Sequence, residues 1–153
     1  MGIVIFLFVF IIFCFVMAVI TMKMNKVPSN INEVNDKPPK STKEYTIVGV
    51  THSHFGNHSQ VAFQELMLGE PLFLYADTNN KYDSYAVVIK TYDGKYVGWL
   101  PKGCKDIQTE LINRPDSVSA TLSEKYILYD DDGNEKTYKG KTMYGGNIKV
   151  TIY

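Results

Sequence analysis

Tyr82 and Asp83 stand side by side in the polar run Thr78-Asn79-Asn80-Lys81-Tyr82-Asp83, a setting that suits contact with a ligand. Asn and Asp side chains bond to backbone groups close by, so a loop of this kind holds a fixed shape and can present what it carries. A tyrosine held there offers a flat face to a nucleobase, a contact of about 1 to 3 kcal/mol in single-strand platforms. The carboxylate beside it accepts a hydrogen bond from a hydroxyl and repels a phosphate. Trp99 offers a second face, and Lys81, Lys102 and Lys105 are the cations available for phosphate contacts. Plainer roles exist for some of these residues: Trp99 fits a core aromatic, and Asp83 fits a cap for the turn before Ala86. The Tyr82-Asp83 pair has no obvious packing need, which favours the ligand-facing role.

All three histidines fall in Thr51-His52-Ser53-His54-Phe55-Gly56-Asn57-His58. The spacing of His52, His54 and His58 invites a zinc reading, but no fourth ligand or general base is marked nearby. An exposed His-rich loop is the commoner situation, and no metal is expected. Asp130-Asp131-Asp132-Gly133-Asn134 alternates oxygen ligands around a glycine, yet the bidentate Glu of a calcium loop is missing, so the run reads as a solvated hairpin tip. Cys14 and Cys104 lie in different environments and imply no disulfide. Nucleophile elbow, phosphate-cradling glycine loop and helicase motif are all missing from the sequence. The expectation is therefore a binding protein without catalysis and without a cofactor.

The elements that must position these residues are mostly strands. Pro71 to Ala76 and Ala86 to Tyr92 are rich in β-branched and aromatic residues, and Asp93-Gly94 followed by Tyr96 to Leu100 reads as a turn and its return strand. That meander brackets the Tyr82-Asp83 loop. Tyr45 to Val50 should be the first strand. Ser59 to Leu68 fits a short helix capped by Ser59 and ended by Gly69. A second helix is expected over Lys102 to Asn113, with Cys104, Ile107 and Leu111 on one face and Pro115 as its stop. Ser117 to Leu122, Lys125 to Tyr129 and Ile148 to Ile152 complete the strands of a mainly β fold with two short helices.

The same residues carry a family resemblance. Gly69-Glu70-Pro71-Leu72, then Asn80-x-Tyr82-Asp83-x-x-Ala86-Val87-x-Ile89, then Gly94-x-x-Val97-Gly98-Trp99-Leu100-Pro101, with Ile47-Val48-Gly49-Val50 upstream, resembles the HIRAN domain. The ordered motifs span about Tyr45 to Asn113, and the tail matches only loosely. The resemblance implies an OB-like small β-barrel that grips the free 3′ end of single-stranded DNA. It further implies that Tyr82, Asp83 and Trp99 form the grip, that Lys81, Lys102 and Lys105 contact phosphates, and that Thr51 and His52 lie at the site as the residues after the first strand. Three departures stand out. The position of Trp99 is often His in the family, Arg and aromatics are common where Thr51, His52 and Ser53 stand, and Tyr75-Ala76-Asp77-Thr78 lacks the Arg and Pro of many relatives.

Length and charge bound the rest. At 153 residues the chain has room for one domain. Formal net charge is zero; five of the 16 basic and three of the 16 acidic residues precede Tyr45, leaving 11 against 13 beyond it. A broad non-specific nucleic-acid binder would be more basic. Ile3 to Ile20 is an unbroken apolar run, so residues 1–22 are expected to form a single transmembrane anchor, not a cleaved signal peptide, which wants a basic start and a shorter apolar core. Lys23, Lys26, Lys37, Lys40 and Lys43 follow it, which places the domain in the cytoplasm by the positive-inside rule. Residues 23–44 form the expected linker, reaching roughly 25 Å as a flexible chain, and residues 45–153 the HIRAN-like barrel. Two function classes follow: a membrane-tethered module for single-stranded DNA or free 3′ ends, or a protein-interaction module on the same barrel that has lost DNA binding and has a partner not identified by sequence.

Overall fold

The computed structural model describes residues 38–153. In chain order these form β1 (Ser41–Thr46), the short strands β2 (Ser53–His54) and β3 (Asn57–His58), α1 (Ser59–Glu65), β4 (Pro71–Ala76), β5 (Val87–Lys90) and β6 (Tyr96–Trp99). α2 (Lys105–Asn113), β7 (Val118–Ile127), the short strands β8 (Thr137–Tyr138) and β9 (Lys141–Thr142), and β10 (Tyr144–Ile152) follow. The fold is mainly β with two helices. The anchor expected over residues 1–22, and the linker as far as residue 37, lie outside the described residues. Among the described residues, no helix is long and apolar enough to cross a membrane.

Six strands make one antiparallel sheet in the order β1-β10-β7-β4-β5-β6. Alternation along these strands sends Leu72, Val87, Ile89, Val97, Leu122 and Ile148 to one side, where they form the core. α1 fills the concave side with Ala62, Phe63 and Leu66. Each of the larger of these side chains stabilises the fold by about 1.5 to 3 kcal/mol when fully buried, and Ala62 by less. The sheet curls into a half-barrel, and its two edges meet just after β1. Ile47 N still donates to Gly146 O on β10, whereas Val48 exchanges a pair of hydrogen bonds with Trp99 of β6, each 2.9 Å. One step along the chain thus passes from one edge of the sheet to the other.

That joint demands glycine. At Gly98 a Cβ would lie 2.7 Å from the Val48 carbonyl and collide with the Ile47 side chain. Gly49, with φ of 76°, lies in the left-handed region, and a Cβ there would meet the Tyr96 hydroxyl at 2.9 Å.

Two buried glutamines tie loops to this frame. Gln60 Nε2 donates to Val50 O (2.9 Å) and Tyr144 O (2.7 Å), while its Oε1 accepts from Tyr144 N (2.7 Å). Gln108 on α2 donates from Nε2 to Ser84 O (3.1 Å) and Ala86 O (3.2 Å), holding the end of the loop that carries Tyr82. Buried amides of this kind cost stability unless satisfied, and both are satisfied.

Several expected boundaries change. Ser41 to Glu44, read as linker, pair with Ile152 to Lys149 of β10, so the domain starts before Tyr45. α1 is capped by His58, whose Nδ1 accepts from Gln60 N (3.2 Å), not by Ser59, and it ends at Glu65. Ser59 is buried instead, its hydroxyl bonded to Val97 O. α2 starts at Lys105 because Gly103, with φ of 83°, breaks the helical path after Lys102. The two strands expected around Ser123 are one: Glu124 pairs with Asn147 and Leu122 with Ile148, leaving Ser123 as a bulge. β10 begins at Tyr144, ahead of the expected Ile148, and the hairpins β2-β3 and β8-β9 have no counterpart in the sequence reading.

Candidate functional site

The loop between β4 and β5 is built by its own short polar side chains. Asn80 Oδ1 accepts from Tyr82 N (2.9 Å) and Asp83 N (3.2 Å), and Asn80 Nδ2 donates to Asp77 Oδ2 (3.1 Å). Asp83 Oδ1 accepts from Tyr85 N (2.9 Å), and its Oδ2 accepts from Gly103 N (3.2 Å). Asp83 therefore does cap the turn before Ala86, and it also fastens the loop to the segment ahead of α2. Each carboxylate oxygen has a second lone pair for another donor. Tyr82, by contrast, is 86% exposed and belongs to no core. The loop fixes its backbone and leaves its ring in water.

Opposite this loop stands the β2-β3 hairpin, closed by Ser59 N donating to His52 O (3.1 Å). Between them opens a groove of about 720 Å³. His52, Lys81, Tyr82, Asp83, Trp99 and Lys102 all line it. Trp99 is half-buried and meets the His54 ring edge-on, with centroids 5.3 Å apart. Beneath it Tyr96 is buried, and its hydroxyl donates to Gly49 O (3.3 Å). Burial pushes the Tyr96 phenol up to about 12, so it is a neutral donor across the physiological range. Two lysines face two acids, Asp77 and Asp83, along the groove.

Of the eight residues expected at the site, two fall outside this lining. The Thr51 hydroxyl bonds His52 Nδ1 (3.0 Å) and acts at one remove. Lys105 holds its ammonium 5.6 Å from the Tyr85 ring and lines a separate pocket of about 280 Å³ with Lys43 and Tyr45; Lys102 lines both. His54, Asp77 and Asn80 line the groove too and were not among the expected ligand contacts; of these, the loop-shaping role of Asn80 was legible in the sequence. Asn80 carried a signal, since an Asn two residues before Tyr82 is placed for an Asx turn. His54 carried a weaker one: Gly56 marks the second position of a two-residue turn between His54 and Asn57.

His58 lies away from this lining. Its ring stacks on Tyr138 with centroids 3.9 Å apart, and burial draws its pKa below the ordinary imidazole value. No three His, Cys, Asp or Glu side chains among the described residues are placed to share a metal ion. The acidic run forms a hairpin tip in which Asp130 Oδ1 accepts from Asp132 N (3.0 Å) and Asn134 N (2.8 Å), and these bonds hold its carboxyl below the usual range. Burial pushes the Cys104 thiol up, and its Sγ donates to Pro101 O (3.1 Å), so it is not an activated thiolate.

No family model and no curated protein matches the chain. One solved structure, a protein from Lactobacillus plantarum, is similar to it with a TM-score of 0.45 and 12% identity, covering 72% of this chain and 97% of that one.

Proposed function

We propose that this chain is a membrane-tethered, OB-like module of the HIRAN type that binds the free 3′ end of single-stranded DNA in the groove and performs no chemistry on it. The observation that carries the reading is the convergence of Tyr82, Trp99, Asp83, Lys81 and Lys102, from two separate stretches of sequence, on one open groove. A terminal base stacks on the exposed Tyr82 ring, with Trp99 as the second face. Asp83, held by two backbone amides, accepts from the terminal 3′-hydroxyl and repels a terminal phosphate. Lys81 and Lys102 meet backbone phosphates. The near-balance of acids and bases in the groove suits recognition of an end more than coating of a strand, because coating draws its affinity from many phosphate contacts. Residues 1–22 hold the module at the cytoplasmic face of a membrane.

Lys102 provides the test. It is exposed, and its side chain forms no ion pair among the described residues, so Lys102→Ala is expected to leave the fold intact. The detergent-solubilised full chain carrying Lys102→Ala should bind a labelled single-stranded oligonucleotide more weakly. A plot of log affinity against log salt should be shallower than the parent's by about one unit. An unchanged slope and affinity would remove Lys102 from the phosphate path and leave that contact to Lys81 alone.

A further inference from the structure

We propose that the outer face of β4 and β5 is a second stacking surface that carries the single strand away from its gripped end. The proposal rests on the groove reading above. β4 turns Phe73 and Tyr75 away from the core, and Tyr92, just beyond β5, is 72% exposed with its ring 5.9 Å from that of Phe73. The surface is continuous with the groove: Tyr75 pairs across the sheet with Val88, and Val88 pairs with Trp99, so Tyr75 and Trp99 share one face. Phe55, at the tip of the β2-β3 hairpin, sits 6.0 Å from the Trp99 ring. The Lys90 ammonium lies between Phe55 and Tyr75, 4.7 Å and 5.4 Å from their centroids.

Two features fit a nucleic-acid strand better than a protein partner. Lys90 forms no ion pair among the described residues. An apolar partner laid over these rings would bury that cation without a counter-charge, whereas a phosphate supplies one while bases stack on the rings. Phe55 also adopts φ of 49° beside Gly56 at 84°, a turn whose first position ordinarily takes Asn, Asp or Gly. A 53%-exposed phenylalanine held in the left-handed region is costly, and it places a ring between the groove and Lys90.

The test compares a thymidylate trimer with a decamer, both with a free 3′-hydroxyl, on the detergent-solubilised full chain. The parent should bind the decamer tighter than the trimer by about ten-fold or more, as stacking additional bases requires. Phe55→Asn suits the left-handed backbone, so the variant should melt no lower than the parent. Phe55→Asn and Tyr75→Ala should each weaken decamer binding about five-fold or more and leave the trimer unchanged. Equal affinity of the parent for trimer and decamer, or variants that keep the full length gain, overturns the proposal and leaves the groove reading standing. Parent chain that binds neither oligonucleotide overturns both. Competition by poly-glutamate as effective as by unlabelled decamer marks a surface for acidic polypeptide and likewise overturns it.

Discussion

Gly98→Ala is expected to destabilise the domain by about 3 kcal/mol or more, a cost at the severe end for a single added methyl group. The new Cβ would lie 2.7 Å from the Val48 carbonyl, which cannot retreat because it accepts from Trp99 N while Val48 N donates to Trp99 O. It would also strike Ile47, which is buried in the core. Relief requires opening the joint between the two edges of the sheet, and with it the wall of the groove formed by Val48, Gly49 and Trp99. Gly94→Ala is the matched control. A Cβ there meets nothing within contact distance, and only its φ of 82° opposes the change, at about 1 kcal/mol. Urea midpoints decide: if Gly98→Ala is no more destabilised than Gly94→Ala, the joint does not hold the half-barrel together.

Tyr82→Ala is expected to weaken binding of every single-stranded ligand by about 1 to 3 kcal/mol while leaving the urea midpoint where it was. The two halves of that expectation come from one fact, the exposure of the ring, which removes it from the stability of the fold and makes it available to a base. Tyr82→Phe should bind as the parent does, since stacking needs the face and not the hydroxyl. A variant that loses stability and keeps its affinity would place Tyr82 among the packing residues instead.

These residues were also the most legible part of the chain. Pro71 to Ala76 is found as β4 with those bounds, its residue types having marked it as a strand, and the alternation of exposed Phe73 and Tyr75 with buried Leu72 shows only in the structure. The polar loop after it was readable from Asn80 and Asp83, whose short side chains act on their own backbone. What escaped was set by distant partners. Ser41 to Glu44 reads as linker because an edge strand with polar residues on both faces shows no alternation, and only its pairing with β10 makes it a strand. Gly145 and Gly146 disguise the first part of β10. Gly146 is there because a Cβ would approach the Glu124 carbonyl to 2.6 Å, a close crossing that looks like a turn signal in sequence.

The site divides the same way. Tyr82, Asp83 and Trp99 could be grouped from their types and spacing. His52 was placed there by the family resemblance alone, and the approach of His54 was not legible, since it depends on a small hairpin packing over β6. Lys105 shows the converse: it stands near Lys102 in sequence, yet the helix that begins there turns it to Tyr85 and a different pocket.

The central claim is that the groove reads the chemistry of a strand end. Fluorescence anisotropy of the full chain in detergent, with two single-stranded DNA probes that differ only in carrying a 3′-hydroxyl or a 3′-phosphate, tests it most directly. The hydroxyl end should bind more tightly, and Asp83→Asn, which keeps an oxygen for Tyr85 N but gives up the charge and the acceptor for Gly103 N, should narrow the gap. Equal binding of both ends by the parent chain, or no binding of either at low salt, contradicts the account.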